Sequence, residues 1–91
     1  MEFNDTIELM QDEDYKERFK AEYWQTKIRY EKLKVFNTRI EAANALAHNG
    51  ALEFEMPKHD CPADLLREQQ KVMGEYLHIL EVRAVIEGVE L

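Results

Sequence analysis

The sequence predicts an all-α protein, an antiparallel hairpin of two long helices that assembles as an oligomeric bundle, with a possible short helix at the N-terminus. Residues 12–48 contain no glycine and no proline. Side chains suited to a helix–helix seam recur there at alternating intervals of four and three residues. A second segment, 61–88, has two neighbouring apolar rows at helical spacing. These observations favour one helical domain over 1–91.

The N-terminal segment 1–11 is acidic, and Asn4 or Asp5 can cap a short helix within it. Three acids at 12–14 suit the first turn of a helix, because that end of a helix carries partial positive charge. The sequence is compatible with one continuous helix from Asp5. It fits better with a main helix that starts near Asp12 after a short turn.

The helix predicted for 12–48 has a seam with two positions. One position carries Tyr23, Tyr30, Asn37 and Asn44, and the other carries Phe19, Thr26, Leu33, Ile40 and Ala47. Gly50 provides a stop, since glycine readily takes the left-handed conformation that ends helices. Asn37 and Thr38 are weak helix formers, so a break near Asn37 that would give a compact three-helix monomer stays open.

Residues 49–60 are predicted to connect the helices, and 61–88 to form the second helix. Apolar side chains alternate with glutamates over 52–56, which is a strand pattern that Pro57 ends. A single strand lacks a partner within the chain. An extended segment is therefore expected, with a strand paired to its copy in another subunit as the alternative.

The second helix has clear start and stop signals. Pro62 suits a first turn, and Asp64 adds negative charge where the helix dipole favours it. Gly88 is expected to end the helix and leave 89–91 as a short tail. Gly74 lies inside it, where glycine costs about 1 kcal/mol relative to alanine and can permit close helix packing.

The predicted helices carry more apolar surface than a two-helix hairpin can bury. A helix over 12–48 would be roughly 55 Å long, so the hairpin would be a rod. The excess surface predicts association with further copies of the chain. The expected oligomer core comprises Phe19, Tyr23, Tyr30, Leu33, Ile40, Leu66, Met73, Leu77 and Leu80.

Composition excludes several functional classes. The 91 residues carry a net charge of −7, so binding to double-stranded nucleic acid is not expected. No apolar run is long enough for a membrane span. The acidic N-terminus does not resemble a secretory signal, and a single cysteine allows no internal disulfide. We therefore expect a cytoplasmic protein.

The sequence contains no recognisable catalytic or metal-binding motif. Only His48, His59, His78 and Cys61 offer nitrogen or sulfur ligands, and their spacing does not match a zinc site. Glycine-rich phosphate loops and nucleophile elbows do not occur. No enzymatic activity, metal or cofactor is expected.

The one suggestive pattern lies in the first long helix, where bases and aromatics are interleaved. Lys20, Trp24, Lys27 and Arg29 are the candidate ligand-binding residues, because aromatic faces stack on nucleobases and cations neutralise phosphate. The alternative interpretation places the aromatics in the core and the bases in solvent. A different candidate surface, for a basic protein partner, consists of the acidic residues Glu13, Asp14, Glu75 and Glu81.

The second half of the chain resembles a family of small phage and prophage proteins named after a gene product of a crAss-like phage. The residues that carry this resemblance are 61–70, Met73, 76–77, 79–81, 83–84 and 86–88, with weaker similarity at 15–18, 22–23 and 29–33. The acidic stretch 4–14 and the longer connection over 44–52 depart from the family. The resemblance implies phage origin and a helical hairpin, without a defined site.

The sequence and the resemblance together favour a non-enzymatic, phage-encoded binding protein that inhibits a component of host antiviral defence. Its partners would be further copies of itself and either a host defence protein or a nucleotide signal. One alternative is an oligomeric sponge that sequesters a cyclic-nucleotide immune signal. Another is a structural or regulatory phage protein.

Overall fold

A computed structural model describes residues 1–50 and 55–91. In these ranges the chain forms α1 (Asp5–Met10), α2 (Tyr15–His48) and α3 (Ala63–Glu87). Helices α2 and α3 pack against each other, and α1 packs against α2. Tyr23 contacts Glu81 whereas Asn37 contacts Leu66, so α2 and α3 run antiparallel. The predicted all-α hairpin with a short N-terminal helix is confirmed.

Helix α1 is separate from α2 and is fixed to it by buried polar groups. The Thr6 side chain is fully buried. Gln25 Nε2 donates a hydrogen bond to Thr6 Oγ1 at 3.0 Å, and Thr6 Oγ1 donates to the carbonyl of Phe3 at 2.6 Å. The alternative of one continuous helix from Asp5 was wrong. Asn4 is the N-cap residue of α1, but its side chain makes no capping hydrogen bond.

Helix α2 begins three residues later than predicted and is continuous. Asp14 is its N-cap, and Asp14 Oδ1 accepts a hydrogen bond from the Lys16 N–H at 2.9 Å. Asn37 lies within the helix, so the alternative of a break there was wrong. The Asn37 side chain bonds to α3 and therefore does not compete for the backbone of its own helix. Gly50 follows the helix with a φ of 82°, as expected of a stop signal.

Helix α3 begins after Pro62, which is its N-cap, and ends at Gly88, which takes a left-handed conformation with a φ of 71°. The Val89 N–H then donates to the Ala84 carbonyl at 2.8 Å. Val89 is buried, so the prediction of a tail over 89–91 missed a core residue. The strand considered for 52–56 falls largely outside the described residues, and the described Glu55 and Met56 are not in a strand.

The shape is a rod. The principal extents are 54 × 24 × 19 Å and the radius of gyration is 17.0 Å, against about 12 Å for a compact domain of this length. Such a shape leaves most residues of each long helix with only one neighbouring helix. Among the described residues, no helix is long and apolar enough to cross a membrane.

The main cluster of buried apolar side chains occupies one half of the contact between α2 and α3. We call it the apolar half, and it consists of Phe19, Tyr23, Leu77, Leu80, Ala84 and Val89, with Trp24 and Tyr30 packed at its edge. Ile40 and Ala43 are buried further along α2, outside this cluster. Five members of the predicted oligomer core are therefore buried within a single copy: Phe19, Tyr23, Ile40, Leu77 and Leu80. Self-association stays a prediction, and burial of these side chains does not require a second copy.

Candidate ligand-binding cleft

A cleft of about 360 Å³ opens between α2 and α3 beside the apolar half. Helix α2 contributes side chains at helical spacing along one wall, and α3 contributes the other wall. The lining residues are Tyr30, Lys34, Asn37, Thr38, Glu41, Arg67, Gln70, Lys71 and Gly74. Within this lining, Tyr30 of α2 lies close to Gly74 of α3.

Asn37 is the most buried polar residue of the cleft, with 6% of its surface exposed. Its Nδ2 donates to the Leu66 carbonyl at 3.1 Å and to Gln70 Oε1 at 2.9 Å. These two acceptors fix the orientation of the amide, because only the nitrogen can donate to them. Asn37 Oδ1 is buried and has no hydrogen-bond partner among the described residues. The lining of the cleft therefore includes one acceptor that lacks a donor and is closed to solvent in this conformation.

Tyr30 and Gly74 form the closed end of the cleft. A Cβ atom at Gly74 would lie 3.2 Å from Tyr30 Cε1 and 3.5 Å from its hydroxyl oxygen. The missing side chain at this position lets the tyrosine ring pack against α3. Gly74 is unfavourable for the helix, but it makes room for the Tyr30 ring beside the cleft.

The cleft is basic in an otherwise acidic chain. Its lining contains Lys34, Arg67 and Lys71 but only one acid, Glu41, whereas the whole chain carries −7. None of the three bases forms an ion pair with a described residue. The positive charges come from both helices and are therefore available to an anion lying between them.

The predicted ligand-binding residues are not brought together in this cleft. Lys20 pairs with Glu17 at 3.2 Å and Lys27 pairs with Glu31 at 3.1 Å, each on its own helix. Trp24 is half-buried against the core, and Arg29 is exposed. One of the four residues approaches the lining of the cleft: Lys27 Nζ lies 5.8 Å from the centre of the Tyr30 ring.

Two of the four acids predicted to meet a protein partner already serve the fold. Asp14 caps α2, and Glu81 accepts a hydrogen bond from the Tyr23 hydroxyl at 2.8 Å. Burial, followed by this hydrogen bond, raises the pKa of Tyr23 to about 12. Glu13 and Glu75 are exposed. Binding of a protein partner by these four acids stays a prediction.

The described residues contain no group of three or more His, Cys, Asp or Glu side chains placed to hold a metal ion. Cys61 is exposed, and the ring nitrogen His59 Nδ1 lies 2.5 Å from the Cys61 carbonyl oxygen. The histidine ring also meets Phe36 edge-on, with ring centres 6.3 Å apart. These contacts are local packing at the start of α3.

Sequence reasoning missed the residues of the cleft, although two signals for it were present. Asn37 occupies a seam position where an apolar residue is expected, and Gly74 interrupts a helix. Each breaks a local rule, and such violations tend to gather at functional sites. The bases Lys34, Arg67 and Lys71 carry no comparable signal, because surface bases at helical spacing are common.

Comparison with known proteins gives one family match. The family model described as Sequestin matches residues 13–86, which include α2, all of α3 but its last residue, and every residue that lines the cleft. The name indicates a protein that binds and sequesters a partner. Phage origin, implied by the sequence resemblance, stays a prediction. Searches of curated proteins and of solved structures give no match.

Proposed function

The chain belongs to the Sequestin family, and we propose that it binds and sequesters a small phosphate-bearing nucleotide in the cleft between α2 and α3. The observation that supports this most strongly is the charge of the cleft, which has three unpaired bases and one acid in a chain of net charge −7. A cleft of this kind attracts anions, and its small volume favours a compact one over the acidic surface of a protein.

Each wall has a distinct role in the proposed complex. Lys34 on α2 and the pair Arg67 and Lys71 on α3 hold phosphate oxygens by charge-assisted hydrogen bonds. Tyr30 offers an aromatic ring at the edge of the cleft for stacking by a nucleobase. The buried Asn37 Oδ1 accepts a hydrogen bond from an N–H or O–H of the ligand after a small adjustment.

The proposed role is retention of the ligand without chemical conversion. In this proposal the ligand is a signal made by a bacterial antiviral defence, and the protein acts in the cytoplasm of an infected host cell. Sequestration lowers the free concentration of the signal below that needed by its receptor. This role unites two expectations from the sequence, antagonism of host defence and the nucleotide sponge.

A thermal-shift screen tests the proposal first. The panel contains cyclic di- and trinucleotides, pyrophosphate-linked dinucleotides, mononucleotides and inorganic phosphate. A ligand present at 100 times its dissociation constant stabilises the folded state by about 2.7 kcal/mol, which is readily seen as a rise in melting temperature. We expect at least one nucleotide, but not phosphate alone, to give such a rise.

Matched variants then locate the site by titration calorimetry. Arg67→Ala should raise the dissociation constant about tenfold or more, because it removes a charge-assisted contact to phosphate. Arg39→Ala is the control, since Arg39 is also exposed but lies on a different groove of α2. Arg29→Ala tests the four residues proposed from the sequence. Loss of binding in Arg29→Ala with full binding in Arg67→Ala would move the site out of the cleft.

The recovery of the bound ligand tests sequestration itself. The nucleotide released from the complex by heat should be chemically unchanged, as judged by mass spectrometry. A converted nucleotide would contradict sequestration. No thermal shift with any nucleotide, together with a shift produced by a purified defence protein, would favour protein–protein inhibition instead.

A further inference from the structure

Helix α3 carries a second apolar stripe that faces solvent. Leu65, Val72, Ile79 and Ile86 recur every seven residues and are 58%, 51%, 55% and 77% exposed, respectively. At about 100° per residue, this stripe lies roughly 120° around α3 from the residues of the apolar half. The intramolecular packing of the hairpin therefore leaves it uncovered among the described residues.

A residue that recurs every seven positions can form one of the two seam positions of a helix that pairs with another helix. Four equivalent positions span about 32 Å of helix axis. The intervening positions are mixed, with Glu68, Glu75 and Arg83 beside Tyr76 and Val82. Single exposed apolar side chains are ordinary on a protein surface, but four in one row of this length are not. Ile86 and Leu65 stand at the two ends of the row, so the apolar surface extends along nearly the whole of α3.

We infer that this stripe is the interface between two copies of the chain, which pair through α3. Tyr76 and Val82 flank it and are 40% and 45% exposed. With them, the patch exposes roughly 600 Å² on each copy, which is the upper end of the range for stable monomers. Complete burial of both patches would remove about 1,200 Å² from solvent, the lower limit for a specific stable interface. A second copy presents a stripe of the same length and spacing.

Pairing through the stripe leaves the cleft open. The α3 residues that line the cleft, Arg67, Lys71 and Gly74, lie on the other side of the apolar half, again roughly 120° from the stripe. The dimer therefore has two outward-facing clefts. This arrangement is independent of the identity of any ligand.

Sedimentation equilibrium of the full chain from 5 to 200 μM tests the inference. We expect twice the chain mass of 10.8 kDa. Ile79→Asp places a charge at the centre of the stripe and should raise the dimer dissociation constant by about 100-fold or more. Val35→Asp is the matched control, because Val35 is 51% exposed on α2, and it should remain dimeric. Circular dichroism should show unchanged helix content in both variants.

The salt dependence of dimerisation distinguishes an apolar interface from a charged one. Copies of net charge −7 repel each other, so apolar pairing should strengthen as sodium chloride rises from 50 to 500 mM. Val72→Lys provides a second disruption should Ile79→Asp fail to fold. A wild-type monomer over the whole concentration range, a dimer that persists in a folded stripe variant, or dissociation by salt would each overturn the inference.

Discussion

The two halves of the α2–α3 contact differ in what they accomplish. In the apolar half, Phe19 and Tyr23 of α2 pack with Leu77 and Leu80 of α3 in one buried cluster. In the cleft, the same seam of α2 continues with Asn37, which reaches α3 by hydrogen bonds. One seam position therefore provides a core aromatic at Tyr23 and a buried amide at Asn37. Ile40 and Ala43 are buried beyond Asn37, at 2% and 3% exposed, so apolar burial continues past the cleft. The two halves differ because polar side chains and a cavity interrupt the second one.

Truncation of the apolar half should have the largest effect on stability. Leu80 is 2% exposed, so Leu80→Ala removes buried surface and leaves a cavity. We expect the free energy of unfolding to fall by about 2 to 5 kcal/mol. Urea denaturation followed by circular dichroism measures it. Val85→Ala is the control, since Val85 is 84% exposed, and a comparable loss there would show that the effect of Leu80→Ala does not come from burial.

Alkaline pH should weaken the apolar half next. The pKa of Tyr23 is raised to about 12 from an ordinary value of 10.0. The neutral phenol therefore contributes stability that is complete below pH 10 and is lost as the pH rises through 12. The loss amounts to about 2 to 3 kcal/mol. Tyr23→Phe should be less stable at pH 8 by about 1 kcal/mol.

Urea denaturation measures the free energy of unfolding of the wild type and of Tyr23→Phe. The difference between these two values should shrink and reverse above pH 10, because phenylalanine does not titrate. Equal pH dependence of the two proteins would show that Tyr23 is not the responsible group. Tyr76 also has a raised pKa, chiefly from burial, so Tyr76→Phe serves as the comparison.

Replacement of Asn37 should abolish nucleotide binding without lowering stability. Asn37→Leu makes the seam apolar and removes the unpartnered Oδ1. We expect the free energy of unfolding to be unchanged or higher by about 1 kcal/mol, while nucleotide binding is lost. Thermal denaturation and calorimetry measure the two effects. A clearly less stable variant would mean that the amide hydrogen bonds hold the helices together.

The smallest effect is expected at Gly74. Gly74→Ala gains helix propensity, and the new Cβ contacts Tyr30 at 3.2 Å. The tyrosine ring is half-buried at the edge of the cleft and can yield. We expect a net gain of about 0.5 kcal/mol with weaker nucleotide binding. Destabilisation by more than about 1 kcal/mol would show that the ring is held rigidly.

The hairpin was predictable because its signals are local. Gly88 and Pro62 mark helix ends, and the spacing of four and three residues reveals a packing face without knowledge of the partner. The start of α2 was placed three residues early because Asp12 and Asp14 are both suitable caps. Only the backbone conformation at Asp14 distinguishes them.

The cleft was not predictable because it depends on how the two helices rotate about their axes. Lys34 and Arg67 are 33 residues apart in sequence, and only the packed hairpin places them on one cleft. The sequence instead pointed to Lys20 and Lys27, where bases and aromatics are densest. Those bases lie on α2 beside glutamates of their own helix. These residues do not line the cleft, and their role in ligand binding stays a prediction.

The most direct test of the central claim is a titration of isotope-labelled protein, observed by backbone amide NMR, with the nucleotide that gives the largest thermal shift. If the nucleotide binds in the cleft, the amide signals of Tyr30, Asn37, Arg67 and Lys71 move in a saturable manner. The signals of Phe19 and Ala84, in the apolar half, should stay in place. Saturable shifts confined to the apolar half or to residues 20–29, with the cleft unchanged, would contradict the account.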